Sequence, residues 1–150
     1  MAEIVGLASA ITALAALGFK LANGISDLAE ELGTIGSQLR SVATDTKAVA
    51  LVLHELKKHI KSTKNITKSA LEIAHEIIAQ CQVDIEDLDR CIQPFFIRDE
   101  EPRTLGWIKR MQWLFAKSKL ATRKAALDSL KLTISMYIAA LGFIDGDDTE

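Results

Sequence analysis

Apolar residues recur at spacings of three and four from the first turn of the chain: Ile4, Leu7, Ile11, Leu14, Leu21, Ile25, Leu28 and Leu32, with Gly18 at the one vacant seam position. That period predicts a single helix from about Ala2 to Leu32. Within it the run Ile4 to Phe19 is uncharged, and its remaining faces hold Val5, Ala8, Ala10, Ala13, Ala15, Ala16 and Leu17. A helix that is apolar all round is either central to a bundle or faces lipid, so this first half is expected to be covered on most sides in water. Gly18 and Gly24 each cost about 1 kcal/mol against alanine in a helix interior and mark a candidate hinge.

Gly33 and Gly36 predict a break, after which Leu39, Val42, Thr46, Val49, Leu53, Leu56 and Ile60 carry the period through a second helix from Ser37 to about Ile60. Arg40, Asp45, Lys47, Glu55, Lys57 and Lys58 occupy its outer faces. The polar connection Ser62 to Asn65 is short enough to make the second and third helices antiparallel neighbours. A third helix is expected from near Ile66 through Ile73, Ile77, Cys81, Ile85 and Leu88 to about Ile92, with Pro94 as its stop. Residues 94 to 104 read as a surface connection, with Thr104 capping a helix from Leu105 to about Lys119 that carries Trp107, Ile108, Met111, Trp113, Leu114 and Phe115. A last stripe, Leu127, Leu130, Ile134, Tyr137 and Leu141, runs to Gly142, a helix terminator. With no strand alternation and no long repeat, the fold class is all-α: an up-and-down bundle of four to five helices with an apolar N-terminal helix. The bundle is assigned to residues 1–142, and the acidic residues 143–150 to a tail or the start of a linker.

Composition adds scale. A chain of 150 residues, 49% of them hydrophobic, is one domain with enough apolar material for a sizeable core. The formal charge of −2 gives no global case for nucleic acid. Locally, Lys57, Lys58, Lys61, Lys64 and Lys68 stand together without an acid, and Asp84, Glu86, Asp87, Asp89, Asp99, Glu100 and Glu101 form an opposing block. Cys81 and Cys91 lie about 15 Å apart along a continuous helix, too far to bridge, which fits a reducing compartment. The sequon at Asn65 is then expected to be unused. Only Met1, Ala2 and acidic Glu3 precede the apolar run, unlike the basic start of a signal peptide.

Catalytic signatures are missing from the sequence. His54 and His59 in HELKKH stand five apart, about 140° off on a helix, unlike the zinc-binding HExxH. The carboxylates Asp84, Glu86, Asp87 and Asp89 lack the glycine-punctuated loop of a calcium site and read as a solvated face, opposed by a basic neighbour. No phosphate-binding glycine loop, nucleophile elbow or paired cysteine ligand spacing occurs, so no enzyme, metal or cofactor is expected. The basic stretch beyond Lys109 interleaves Lys109, Arg110, Lys117, Lys119, Arg123 and Lys124 with Trp113 and Phe115. The balancing acids argue against nucleic acid, leaving a solvated face or contacts to anionic lipid headgroups.

Two stretches, MAEIVGLASAITALAALGFK and RTLGWIKRMQWLFAKSKLATRKAALDSLKLTISMYIAAL, resemble the fungal HeLo-like N-terminal domains of STAND receptors and amyloid-signalling cell-death proteins. The residues carrying the resemblance are the Met1-Ala2-Glu3 start with its apolar helix, and Trp113, Phe115, Lys117 and Lys119 followed by Leu127, Leu130 and Lys131. It implies a helical bundle, similar to those of necroptosis executors, that is cytoplasmic at rest. Clustering by a C-terminal or separate receptor or amyloid-type activator would assemble homo-oligomers and release the first helix to permeabilise the plasma membrane. Ile4, Val5, Leu7, Ile11, Leu14 and Leu17 match that membrane-targeting helix. The apolar run rises only about 24 Å against a ~30 Å hydrocarbon core, so a full span would draw in residues to Ile25, with Lys20 snorkelling. The alternative is an oligomerisation module that signals without touching lipid.

Overall fold

The three-and-four period is realised as four α-helices in the computed structural model: α1 (Ala2–Leu32), α2 (Ser37–Ser62), α3 (Lys68–Phe96) and α4 (Pro102–Asp148). The structure describes the backbone of residues 2–32, 37–96 and 102–148, and the side-chain surroundings of residues 3–30, 37–93 and 119–143. The break at Gly33 and Gly36, the acids Asp99, Glu100 and Glu101, the aromatic-rich side chains of Leu105 to Phe115 and the side chains of the acidic end lie outside the described residues. The bounds of α1 coincide with those its stripe predicts. Thr67 caps α3, its Oγ1 accepting a 3.1 Å hydrogen bond from the Ala70 amide.

Three boundaries differ from expectation. α3 runs through Pro94 to Phe96. Proline lacks the N–H that would reach the Arg90 carbonyl, but near a helix end this forfeits one bond, and the helix closes two residues later. α4 begins at Pro102, not after a Thr104 cap; proline suits a first helical position because its missing N–H has no intrahelical acceptor there. Its 47 residues form one element of about 70 Å that crosses Lys119 without a break and passes Gly142 to Asp148. Gly142 and Gly146 each cost about 1 kcal/mol against alanine, and the helix passes through both.

Helix order also departs from the expected pairing. α1 packs on α2 and α3, and α4 packs on α2 and α3, so the ring reads α1–α2–α4–α3. α2 and α3, consecutive in the chain and joined by a short connection, are not neighbours but lie diagonally across the bundle. Lys57 reaches Thr12 while Gly18 faces Ala50, which sets α1 antiparallel to α2. Asp87 meets Arg123 while Tyr137 meets Ala70, which sets α3 antiparallel to α4. The chain still alternates up and down; the short connection fixes direction, and packing fixes which helices touch.

The core runs the length of this ring. Leu7, Ile11 and Ile25 of α1 meet Leu39, Leu53, Leu56 and Ile60 of α2, Ile85, Leu88 and Ile92 of α3, and Leu120 and Ile134 of α4, all nearly or wholly buried. Each such side chain contributes about 1.5–3 kcal/mol of burial.

Candidate functional site

The seat of α1 is built from its seam. Leu7, Ile11 and Leu14 are buried in the core, Ile4 and Leu17 are half-buried against it, and Val5 points to solvent. The expectation that this first half is covered on most sides is corrected. Ala10, Ala13 and Ala16 lie on an exposed face together with Gly6, Ser9 and Thr12. The helix is apolar all round by residue type yet amphipathic by size, since alanines expose little area while the branched side chains turn inward.

Gly18 and Gly24 lie inside one uninterrupted helix. Gly18 is buried, and a Cβ there would lie 3.2 Å from the Ala50 Cβ. Its lack of a side chain allows α1 and α2 to approach closely. Nearer the N-terminus, Lys57 Nζ donates to Thr12 Oγ1 at 3.1 Å, and Thr12 Oγ1 in turn donates to the Ala8 carbonyl at 2.9 Å. This polar tie crosses the α1–α2 seam at its exposed edge.

Of the basic residues assigned to lipid headgroups, Lys109, Arg110 and Lys117 have side chains outside the described residues. Lys119 is exposed. Arg123 Nη1 lies 3.1 Å from Asp87 Oδ2, and Arg90 Nη2 lies 2.8 Å from Asp87 Oδ1, so this carboxylate links α3 to α4. Lys124 Nζ lies 3.1 Å from Asp45 Oδ2 on α2 and 3.5 Å from Asp128. The buried Asp45 oxygen has this ammonium as counter-charge without a well-aligned hydrogen bond. The adjacent Asp45 carboxylate, seconded by Asp128, raises the Lys124 pKa. These two cations therefore hold helices together.

The acidic face of α3 is only partly a solvated one. Glu86 is exposed, but Asp84 is buried. Burial raises its pKa, countered by a 3.0 Å hydrogen bond from Gln80 Nε2 and by the Arg123 charge. A groove of about 470 Å³ between α3 and α4 passes this carboxylate, bounded also by Glu76, Ser129 and Thr133. The signal for Asp84 was its position three after Cys81 and four before Leu88, a seam spacing masked by its charge. Cys81 and Cys91 are free thiols, and burial, with a smaller contribution from Asp84, pushes the Cys81 pKa up to about 12. Among the described residues no group of three His, Cys, Asp or Glu side chains is arranged to hold a metal ion.

Two stretches, Glu3–Glu30 and Lys119–Phe143, are long and apolar enough to cross a membrane by length and composition alone. In the first 39% of the apolar window is buried, in the second 22%. α4 is thus the less covered of the two. Sequence reasoning overlooked its outer stripe: Leu132, Met136 and Phe143 are exposed at spacings of four and seven, behind the core stripe Leu127, Leu130, Ile134 and Leu141.

These features define an all-α bundle domain with an apolar N-terminal helix seated in, but not enclosed by, its core. Residues 2–147 match the fungal family described as the N-terminal region of the pigment biosynthesis cluster protein PigL, and the chain belongs to that family. The match is consistent with a HeLo-like fungal domain without being specific to it. No curated protein and no solved structure matches the chain.

Proposed function

We propose that this domain is a membrane-directed cell-death effector, cytoplasmic at rest, whose α1 is released when the domain is clustered and then permeabilises the plasma membrane. The observation that carries this reading is the character of α1 itself: long and apolar enough over Glu3–Glu30 to cross a bilayer, yet held in the resting bundle through one side. Resemblance to HeLo-like domains supports it. A receptor or amyloid-type partner would supply the clustering, and the apolar seam left by α1 would be covered by neighbouring copies. Such an element is bistable, with two packings of one segment biased by assembly.

Vesicles containing anionic lipid are expected to leak when the domain is clustered through a fused oligomerisation tag. Leu14→Lys, or deletion of residues 1–20, is expected to abolish leakage. Leakage unchanged by both alterations would overturn the reading. A second reading is a helical interaction module that acts without touching lipid. It requires self-association or partner binding with no vesicle association.

A further inference from the structure

Four contacts, two between α1 and α2 and two between α3 and α4, place distant stretches at one end of the bundle. Continuing the antiparallel register of Gly18 with Ala50 and Thr12 with Lys57 brings Val5 level with Lys64. The pairs Asp87 with Arg123 and Ala70 with Tyr137 bring the start of α3 level with the stretch of α4 leading to Phe143. The connection between α2 and α3 lies at the same end. Here Lys61, Lys64 and Lys68 are exposed, and none has an ion-pair partner among the described residues. No acid interrupts the sequence from Lys57 to Leu71. Large apolar side chains are exposed toward the same end: Val5 at 66% and Phe143 at 73%, with Met136 at 64% about two turns and Leu132 about three turns further in along α4. Opposing charges are Glu72 and the acids Asp145, Asp147 and Asp148 that follow Phe143 in the sequence.

We propose that this pole, the free lysines Lys61, Lys64 and Lys68 beside exposed Val5, Met136 and Phe143, is the docking site for an anionic lipid bilayer. The pole, not the basic stretch of α4, is the membrane contact. The proposal rests on the reading of the domain as membrane-directed and locates its first contact. Two observations select a bilayer over other partners. The ammonium groups are uncompensated, whereas Arg123 and Lys124 of the α4 stretch are consumed by Asp87 and Asp45. Apolar side chains stand toward the same end, as an interfacial site requires: they enter the acyl boundary while lysines meet the phosphates. The same pole holds the N-terminus of α1, so docking would bring the releasable helix to the surface it must enter.

The test is flotation of the intact chain with phosphatidylcholine vesicles, with and without phosphatidylserine. Binding is expected only with phosphatidylserine and is expected to weaken with salt. The triple variant Lys61→Gln, Lys64→Gln, Lys68→Gln is expected to lose roughly a hundred-fold in partitioning. Met136→Ser with Phe143→Ser is expected to reduce it further. Lys109→Gln, Arg110→Gln, Lys117→Gln is expected to leave binding unchanged. The side chains of Lys61, Lys64, Lys68, Met136 and Phe143 are exposed, and helical circular dichroism confirms folding of each variant. Retention of binding by the lysine variant, or its loss in the α4 variant, overturns the proposal. So does a result in which Met136→Ser with Phe143→Ser dissolves a dimer without altering flotation, since the apolar face would then belong to a second copy. Failure of the effector reading is separable: vesicle binding through the pole without leakage on clustering leaves this site standing, and leakage undiminished by the lysine variant removes the site alone.

Discussion

Gly18 stands so close to Ala50 that a Cβ at position 18 would lie 3.2 Å from the Ala50 methyl, nearer than the ordinary ~3.5–4.0 Å contact between carbons. Both atoms are fixed to helix backbones, so relief requires α1 and α2 to move apart. Gly18→Ala is therefore expected to forfeit the roughly 1 kcal/mol gain in helix propensity that alanine brings elsewhere. Gly18→Val is expected to cost about 1–3 kcal/mol. In a double-mutant cycle by urea denaturation, Ala50→Gly should restore the gain to Gly18→Ala, with a coupling on the order of 1 kcal/mol. Additive effects would show the contact to be slack.

Asp84 lies in the core stripe of α3 with its pKa raised above the ordinary carboxylate value by burial. The native state thus holds this proton more tightly than the unfolded chain, where the pKa is about 3.9. Native stability linked to this group is complete below that value and falls as pH rises through the folded pKa. Asp84→Asn keeps an oxygen for the Gln80 donor and cannot ionise. It is expected to match or exceed the parent in stability at neutral pH, with the difference vanishing near pH 3. Denaturation midpoints at the two pH values decide it, and a variant less stable at neutral pH would show that the Arg123 attraction dominates.

Tyr137, the sole tyrosine, donates a 2.7 Å hydrogen bond to the Ala70 carbonyl and ties α4 to the first turn of α3. Tyr137→Phe is expected to cost about 1 kcal/mol. Desolvation raises the phenol pKa from its ordinary value of 10.0. The stabilisation is therefore present below pH 10 and is lost as pH rises through the folded pKa. Tyrosinate absorbance should titrate later in the folded chain than after unfolding in urea.

Cys81 is buried with its pKa pushed to about 12, while Cys91 is half-buried with a smaller rise that Arg123 and Lys119 oppose. The thiolate is the reactive form. Mass spectrometry after brief alkylation of the native chain should find the adduct on Cys91, with Cys81 modified only on unfolding. Equal labelling would mean that α3 opens readily.

The stripe from Ile4 to Leu32 made α1 legible from sequence because size and period agree along it. The extent of α4 was not legible: Gly142 looks like a stop, at a cost of about 1 kcal/mol against alanine, yet the helix passes through it to Asp148. Helix neighbours were illegible for another reason. The short connection after Ser62 dictates reversal, but whether α3 lies beside α2 or across from it depends on matching four apolar faces at once. At the candidate site, the apolar period of α1 and the acid-free cluster of lysines from Lys57 to Lys68 were visible in the sequence, which pointed to the basic stretch of α4 for headgroup contacts. It could not show that Arg123 and Lys124 are already partnered, because their carboxylates lie on other helices.

The diagonal placement of α1 and α4 has a consequence for cooperativity. Since α1 scarcely touches α4, its departure strips one side from α2 and from α3 but leaves the contacts of both with α4 in place. Departure of α1 must break its extensive seam with α2, and the partition it leaves is a three-helix remainder braced by its longest member. Amide protection should follow that partition, with α1 exchanging as its own unit and the remainder as another.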